Sequence, residues 1–398
     1  MKTKFENARI LTSPTDDIFL GEIVINDDKI EFIGTKYQGK VDKVFDCKKN
    51  LLMAGFINCH AHSAMSLLKG ISDSDSLEDW LKKVNPIEKN FTEKDIYDGT
   101  VLAIKEYLKN GITCFQDCYF YPDIIAKAVE DCGIRAVIAL SQNYSIDKFL
   151  SKQELEDLLL KLNKKSPLVD YLFYCHSVYT CNESQFANTI SLARKYDKIV
   201  CCHMSESLTE VGVCTQTHNG LTPVMVLESF GFFDGKNLVA HGVHLQKEDY
   251  ALLEKYHVNI AHNPSSNLKL GSGIANLKSM KNHGINICLG TDGSASNNRL
   301  DMFREMYLSS VLQKALLNDP TLINPETALE MATTNGAKAL CNDKIGSLKV
   351  GNYADMIMID MHSVDNQVCR DIKSNLVYAC GAEDVLMTMV NGKILYEK

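Results

Sequence analysis

Eight times between residues 53 and 293 the chain passes through a short apolar run that ends in polar residues and gives way to helical periodicity. The runs are MAGFINCHAHS, GITCFQDC, IRAVIALSQ, DYLFYCHSVYT, KIVCCHMSES, NLVAHGVHL, VNIAHNPSSN and INICLGTDG. A short segment that is apolar on both faces fits a strand covered by helices rather than one facing water. Strands alternating with helices give a parallel sheet, and eight such units close into a (β/α)8 barrel. The stretch TEKDIYDGTVLAIKEYLKNG shows the helical half of a unit. Thr92 is its N-cap, Ile96, Thr100, Ala103, Ile104, Tyr107 and Leu108 share one face, and Gly111 follows its end.

The two ends read differently. KFENARILT, GEIVINDDKIEFIGT and KVFDCKKNLLMAGF near the start, and GSLKVGNYADMIMID and DVLMTMVNGKILYEK near the end, have the alternation of short strands. Asp27-Asp28 and Asn391-Gly392 supply turns. The expected organisation is a small β-sandwich domain built from residues 1–54 and 345–398 around a barrel domain of residues 55–344. The length of 398 residues is compatible with this, because a barrel of about 250 residues counts as one domain.

A formal charge of -8 is the wrong sign for a protein that lives on phosphate backbones, so a small-molecule partner is expected and nucleic acid is not. No run approaches the roughly 18 apolar residues of a membrane span, and MKTKFENARILTSPTDD has no signal-peptide core. The protein is expected to be soluble, unexported and cytoplasmic, with a homo-oligomer left open. Its fourteen cysteines include no C-x-x-C pair and are read as reduced thiols. Strand alternation turns Cys59 and Cys202 away from the barrel mouth.

Functional residues of such a barrel sit at the C-terminal ends of strands. There the chain carries His60 and His62 on the first strand, His176 on the fourth, His203 on the fifth, His241 on the sixth and Asp292 on the eighth. His60 and His62, two apart, face the same side of an extended strand. With His203 and Asp292 they make a set of imidazole and carboxylate ligands for a first-row divalent metal, with room for a water.

These segments, together with WLKKVNPIE, HMSES, AHGVHL, AHNPSSNLKLGSGIANL, LGTDGSASNNRLDMF and GSLKVGNYADMIMID, make the chain resemble the amidohydrolase superfamily. Within it the 5'-methylthioadenosine/S-adenosylhomocysteine deaminases are the most similar branch. The resemblance implies hydrolytic deamination of an adenine nucleoside by a metal-bound hydroxide. Binuclear relatives bridge their metals with a carboxylated lysine on the fourth strand, and DYLFYCHSVYT has no lysine, which implies one metal ion per chain, with Zn2+ expected. Glu206, three residues past His203, is implied as the proton carrier. His241 orients the attacking water, and Asp292 both binds metal and holds that water. Glu88, read as lying in the loop before the helix at Thr92, matches a position that accepts hydrogen bonds from ribose hydroxyls. His176 matches a substrate-contacting histidine. Trp80 either walls the pocket or packs in the core, Ser296 and Asn297 could line the site, and the role of His244 is open.

Relatives that hold a homocysteine carboxylate use arginines after the third strand. Here no arginine occurs between Arg135 and Arg194, and ALSQNYSIDKF offers only Lys148. The expectation is therefore a preference for 5'-methylthioadenosine, 5'-deoxyadenosine or adenosine over S-adenosylhomocysteine. An aminohydrolase or chlorohydrolase acting on guanine or a triazine is the alternative with the same ligand set. A non-catalytic scaffold is the remote one, disfavoured because all four ligands and Glu206 are present.

Overall fold

A computed structural model describes residues 1–163 and 166–398. The eight apolar runs are strands β1 (Phe56–Ala61), β2 (Ile112–Asp117), β3 (Arg135–Leu140), β4 (Val169–Tyr174), β5 (Val200–Met204), β6 (Asn237–His241), β7 (Asn259–His262) and β8 (Asn286–Leu289). Each pairs in parallel with the next in chain order, and β8 returns to lie beside β1. Alternation along the strands builds two cores. Val137, Leu172, Cys201, Leu238, Ala261 and Cys288 fill the barrel interior, while Ile138, Phe173, Cys202, Val239, Ile260 and Leu289 pack outward under the helices. This is the expected (β/α)8 barrel.

The seam between first and last strands is closed chiefly by a side chain. Asn58 accepts from the Thr291 N–H at 3.0 Å and donates to Thr291 Oγ1 at 2.7 Å. The Asp292 N–H then donates to the His60 carbonyl at 2.9 Å, which sets a carboxylate beside a histidine from the other end of the barrel. The helix Glu93–Lys109 begins as expected: Thr92 caps it in a capping box with Asp95 and its buried face carries Ile96, Ala103, Ile104 and Tyr107.

Strand alternation fails at one place in β1. Its register against β2 shifts between Asn58 and Ala61, and both Cys59 and His60 reach the barrel interior. Cys59 packs there with Cys114, Cys201 and Cys288, so the expectation that it turns away is corrected, whereas Cys202 does face the helices. A bulge inserts an extra residue and re-aims the side chains beyond it. His62 has by then left the strand and precedes the short helix Ser63–Leu68. All fourteen cysteines are free thiols.

Strands from both ends of the chain, from Lys2–Leu11 to Leu51–Ala54 and from Met356–Ile359 to Lys393–Glu397, form one mixed sheet of eight strands. Leu51–Ala54 pairs antiparallel with Met356–Ile359, joining the two ends. The sheet curls around a core that includes Phe5, Ile10, Ile23, Leu52, Met356 and Met387. Asn391 and Gly392, at φ 51 and 75, make the tight turn between its last two strands. Among the described residues no helix is long and apolar enough to cross a membrane.

Arg135 ties barrel and sheet together. It makes a bidentate pair with Asp355 at 2.7 and 3.2 Å and stacks 4.1 Å from the centre of the Tyr353 ring, almost wholly buried. Removing one partner of a buried ion pair leaves the other charge without compensation, so Arg135→Ala is expected to cost about 3–5 kcal/mol. Thermal melts of the two proteins under one buffer check this, and unchanged melting would show the pair to be dispensable.

Candidate metal and substrate site

The polar residues that close the strands converge at the barrel mouth. His62 Nε2 lies 3.2 Å from Asp292 Oδ1, His60 Nε2 lies 3.6 Å from the same oxygen, and His203 Nε2 lies 3.4 Å from His62 Nε2. Two overlapping groups, His60 with His203 and His241, and His60 with His62 and Asp292, have their ligand atoms within 4.8 Å of one another. Four of these five are the residues expected to hold a metal. His241 joins them as a neighbour of His60 and His203.

Each ring but one is oriented by a bond to its far nitrogen. His62 Nδ1 donates to the Cys118 carbonyl at 2.5 Å and His203 Nδ1 to the His176 carbonyl at 2.9 Å, turning both Nε2 lone pairs inward. His241 Nδ1 contacts Asn267 Oδ1 at 2.8 Å. His60 is the exception, with both ring nitrogens buried and without a hydrogen-bond partner among the described residues. A buried imidazole with nothing to bond is costly unless a ligand takes its lone pair. Burial, with His62 adding to it, holds His60 well below its ordinary pKa, in the neutral form that ligation needs. Burial opposes charge on His62 as well, but its bond to Asp292 lifts that ring to about 10. The carboxylate thus draws positive charge to this spot, which a divalent cation would supply. The residues fit a metal.

Asp292 is held from behind. Its Oδ2 accepts from Ser266 Oγ at 2.5 Å and from Ser296 Oγ at 2.9 Å, and Oδ1 accepts from the Gly293 N–H at 2.8 Å. His241, Asp292 and Ser205 all have left-handed backbone, with φ of 77, 58 and 53. Such conformations cost on the order of 1–3 kcal/mol each in a non-glycine residue and gather at functional sites. Gly290 has no side chain for a steric reason: a Cβ there would sit 2.3 Å from Asn263 Oδ1 and 2.8 Å from His60 Cβ.

Above the cluster opens a cavity of about 410 Å³ lined by His62, Trp80, Glu88, Tyr119, His176 and Glu206 among others. Glu206 is buried with Oε2 3.7 Å from His241 Nε2, and burial pushes its carboxyl up to about 7. Glu88 is also buried, which raises its pKa. It is not in a loop before the next helix, as its sequence context implied. It is the last residue of a helix, Leu77–Glu88, and Tyr119 Oη donates to its Oε1. His176 Nδ1 meets Thr180 Oγ1 at 2.8 Å, and burial lowers the ring to about 4, leaving it neutral.

The remaining candidates divide. Trp80 does both things expected of it, packing with Leu68 and Val84 while facing the cavity. Ser296 lines the cavity, whereas Asn297 lies behind it, donating to the Thr291 carbonyl at 2.7 Å and to Glu305 Oε1 at 2.9 Å. His244 turns outward, with Nε2 2.6 Å from the Ser272 carbonyl. Arg135 is committed to Asp355. Lys148 stacks 4.6 Å from the Tyr144 ring centre and is not among the lining residues. Lys89, which sequence reasoning passed over beside Glu88, is the one lysine or arginine lining the cavity among the described residues. Tyr119, Ser266 and Asn267 were also missed, although each follows a strand end, where a barrel keeps its functional groups.

The model of the amidohydrolase family matches residues 51–395. The chain is 38% identical over 400 residues to a 5-methylthioadenosine/S-adenosylhomocysteine deaminase of Thermococcus sibiricus, covering 99% of this chain and 94% of the relative. It is 38% identical over 404 residues to a 5'-deoxyadenosine deaminase of Methanosarcina mazei, covering 98% and 92%. The crystal structure of a zinc-bound adenosine deaminase from Xanthomonas campestris superposes with a TM-score of 0.94 at 29% identity, over 98% of this chain and 92% of that one. A family match over most of the length, and relatives this similar from end to end, leave one conclusion: the chain belongs to the amidohydrolase family.

Proposed function

We propose that this protein is a metal-dependent deaminase that hydrolyses the exocyclic amine of an adenine nucleoside, releasing ammonia and the inosine analogue. The observation that carries the reading is the placement of Glu206, a buried carboxyl held up to about 7, between the histidine cluster and a cavity closed elsewhere by buried Glu88. His60, His62, His203 and Asp292 would hold one divalent ion per chain, with zinc expected. Bound there, it supplies the Lewis acidity that makes water a nucleophile at neutral pH. The deaminase names of the relatives and the bound zinc of the adenosine deaminase support both parts.

The chain's own groups then divide the work. Asp292 and His241 fix the attacking water through hydrogen bonds. Glu206 takes a proton from it and passes it to ring N1, so that C6 accepts the oxygen without building negative charge on the ring. The C6–N bond breaks, and Glu206 relays the second proton to the departing ammonia. Glu88 accepts the two ribose hydroxyls, with Tyr119 Oη occupying one of its oxygens. His176, neutral, contacts the substrate from the β4 side.

Among the described residues the cavity presents no arginine to a homocysteine carboxylate. Truncating a charge pair at a binding interface costs about 2–5 kcal/mol, so a missing partner is felt. We expect kcat/KM for 5'-methylthioadenosine, 5'-deoxyadenosine or adenosine to exceed that for S-adenosylhomocysteine by at least about tenfold, or roughly 1.4 kcal/mol. Steady-state ammonia release at one pH and salt, over a panel that includes guanine and an aminotriazine, tests activity and preference together. Turnover confined to guanine or the triazine would overturn the nucleoside reading. Equal turnover of S-adenosylhomocysteine, lost in Lys89→Met, would assign the carboxylate to Lys89.

A further inference from the structure

We propose that Glu210 is a positioning residue that aims Glu206 into the site; this rests on the proton-carrying role given to Glu206 above. Glu210 is the third residue of the helix Leu208–Thr217, capped by Ser207, whose Oγ accepts from the Glu210 N–H at 3.1 Å. A glutamate at this position ordinarily folds back onto the N–H of the capping residue itself. Here the carboxylate reaches further. Oε1 accepts from the Ser205 N–H at 3.0 Å and Oε2 from the Glu206 N–H at 2.6 Å, so that both oxygens clamp two successive amides ahead of the helix.

Three features say what this clamp does. The Ser205 backbone is left-handed at φ 53, a turn that a serine does not favour by itself and that carries Glu206 round to the barrel axis. The other side of the turn is tied to the loop after β6, with the Ser205 carbonyl accepting from the His244 N–H at 2.9 Å and the Met204 carbonyl from the Gly242 N–H at 3.0 Å. Glu206 and His241 are therefore fixed relative to each other by main-chain bonds. Finally, Glu210 is buried and has no lysine or arginine partner among the described residues. With the helix already capped by Ser207, a buried carboxylate without a cation is explained by the two amides it holds. Its charge also lies close enough to Glu206 to favour that carboxyl's protonated form.

The test is Glu210→Gln, which keeps the shape but sets an amide NH2 donor against one of the two N–H groups. A misplaced catalytic group costs on the order of 100-fold, so kcat is expected to fall about 10- to 100-fold with KM within about threefold and metal content unchanged. Because the residue acts through Glu206, the same substitution in a Glu206→Gln background is expected to cost less than about twofold more. Amide hydrogen exchange at Ser205 and Glu206 is expected to quicken by at least about tenfold. The kinetics use whichever amino-heterocycle the wild type turns over, so a wrong substrate assignment does not obscure the result. With an inert wild type, exchange alone decides. The proposal is overturned by a kcat within twofold of wild type, by a loss of equal size in the Glu206→Gln background, or by unchanged exchange. Glu210→Asp, which keeps the charge but shortens the reach, faces the same criteria if the glutamine variant does not fold.

Discussion

Glu206→Gln is expected to lower kcat by about 100- to 10,000-fold while leaving fold and metal in place, the usual range for removing a general acid–base. The amide matches the carboxyl in size but cannot accept and return a proton. Wild-type Glu206 is suited to both because burial brings its carboxyl to about 7, where the two forms coexist near neutral pH. The same shift gives the variant an opposite effect on stability. A carboxyl whose pKa is raised on folding binds its proton more tightly in the native state. Its folded form is therefore penalised as pH rises from the ordinary value near 4.5 through about 7. In chelator-treated protein the glutamine variant is thus expected to melt higher than wild type at pH 8. That advantage, at most about 3 kcal/mol, should shrink towards pH 5. Single-turnover rates, metal content and melts at two pH values read all three effects. Turnover near the wild-type rate would remove Glu206 from the reaction, and loss of metal would make it a ligand instead.

His203→Ala is expected to abolish metal binding and activity together. The ring is held from behind by the His176 carbonyl at 2.9 Å and by Tyr174 Oη at 3.2 Å, so its Nε2 points into the cluster, and its removal takes away one of the four ligands. Substitutions behind the ligands act more mildly. Ser266→Ala, which takes one donor from Asp292, should weaken metal binding by about 10- to 100-fold, in line with other outer contacts. Elemental analysis should find one equivalent per chain in wild type and Glu206→Gln, and almost none in His203→Ala. Two equivalents, both needed for activity, would sink the single-ion reading.

Much of the fold was legible in the chain because it is written in local periods. Runs apolar on both faces identified the eight strands, the 3.6-residue pattern behind Thr92 identified the helix Glu93–Lys109, and Asn391-Gly392 identified a hairpin. Because a barrel gathers function at strand ends, the order of His60, His62, His203, His241 and Asp292 along the chain was enough to bring them together.

What the sequence could not give were contacts that depend on closure and on departures from ideal geometry. Asn58 meets Thr291 across 233 positions, a pairing no local pattern encodes. The convergence of His60 and His62 was inferred from alternation, yet Cys59 follows Ile57 inward, so His60 joins the interior through a register shift, and the chain has already left the strand at His62. Glu88 was read as part of a loop, yet the helix Leu77–Glu88 runs on through Pro86 to include it. The left-handed turns at Ser205, His241 and Asp292 persist because the surrounding bonds over-determine them. Residue type and spacing thus determined which groups the protein brings to its site. Only the closed barrel, by fixing which backbone amides and carbonyls face one another, decided how those groups are aimed.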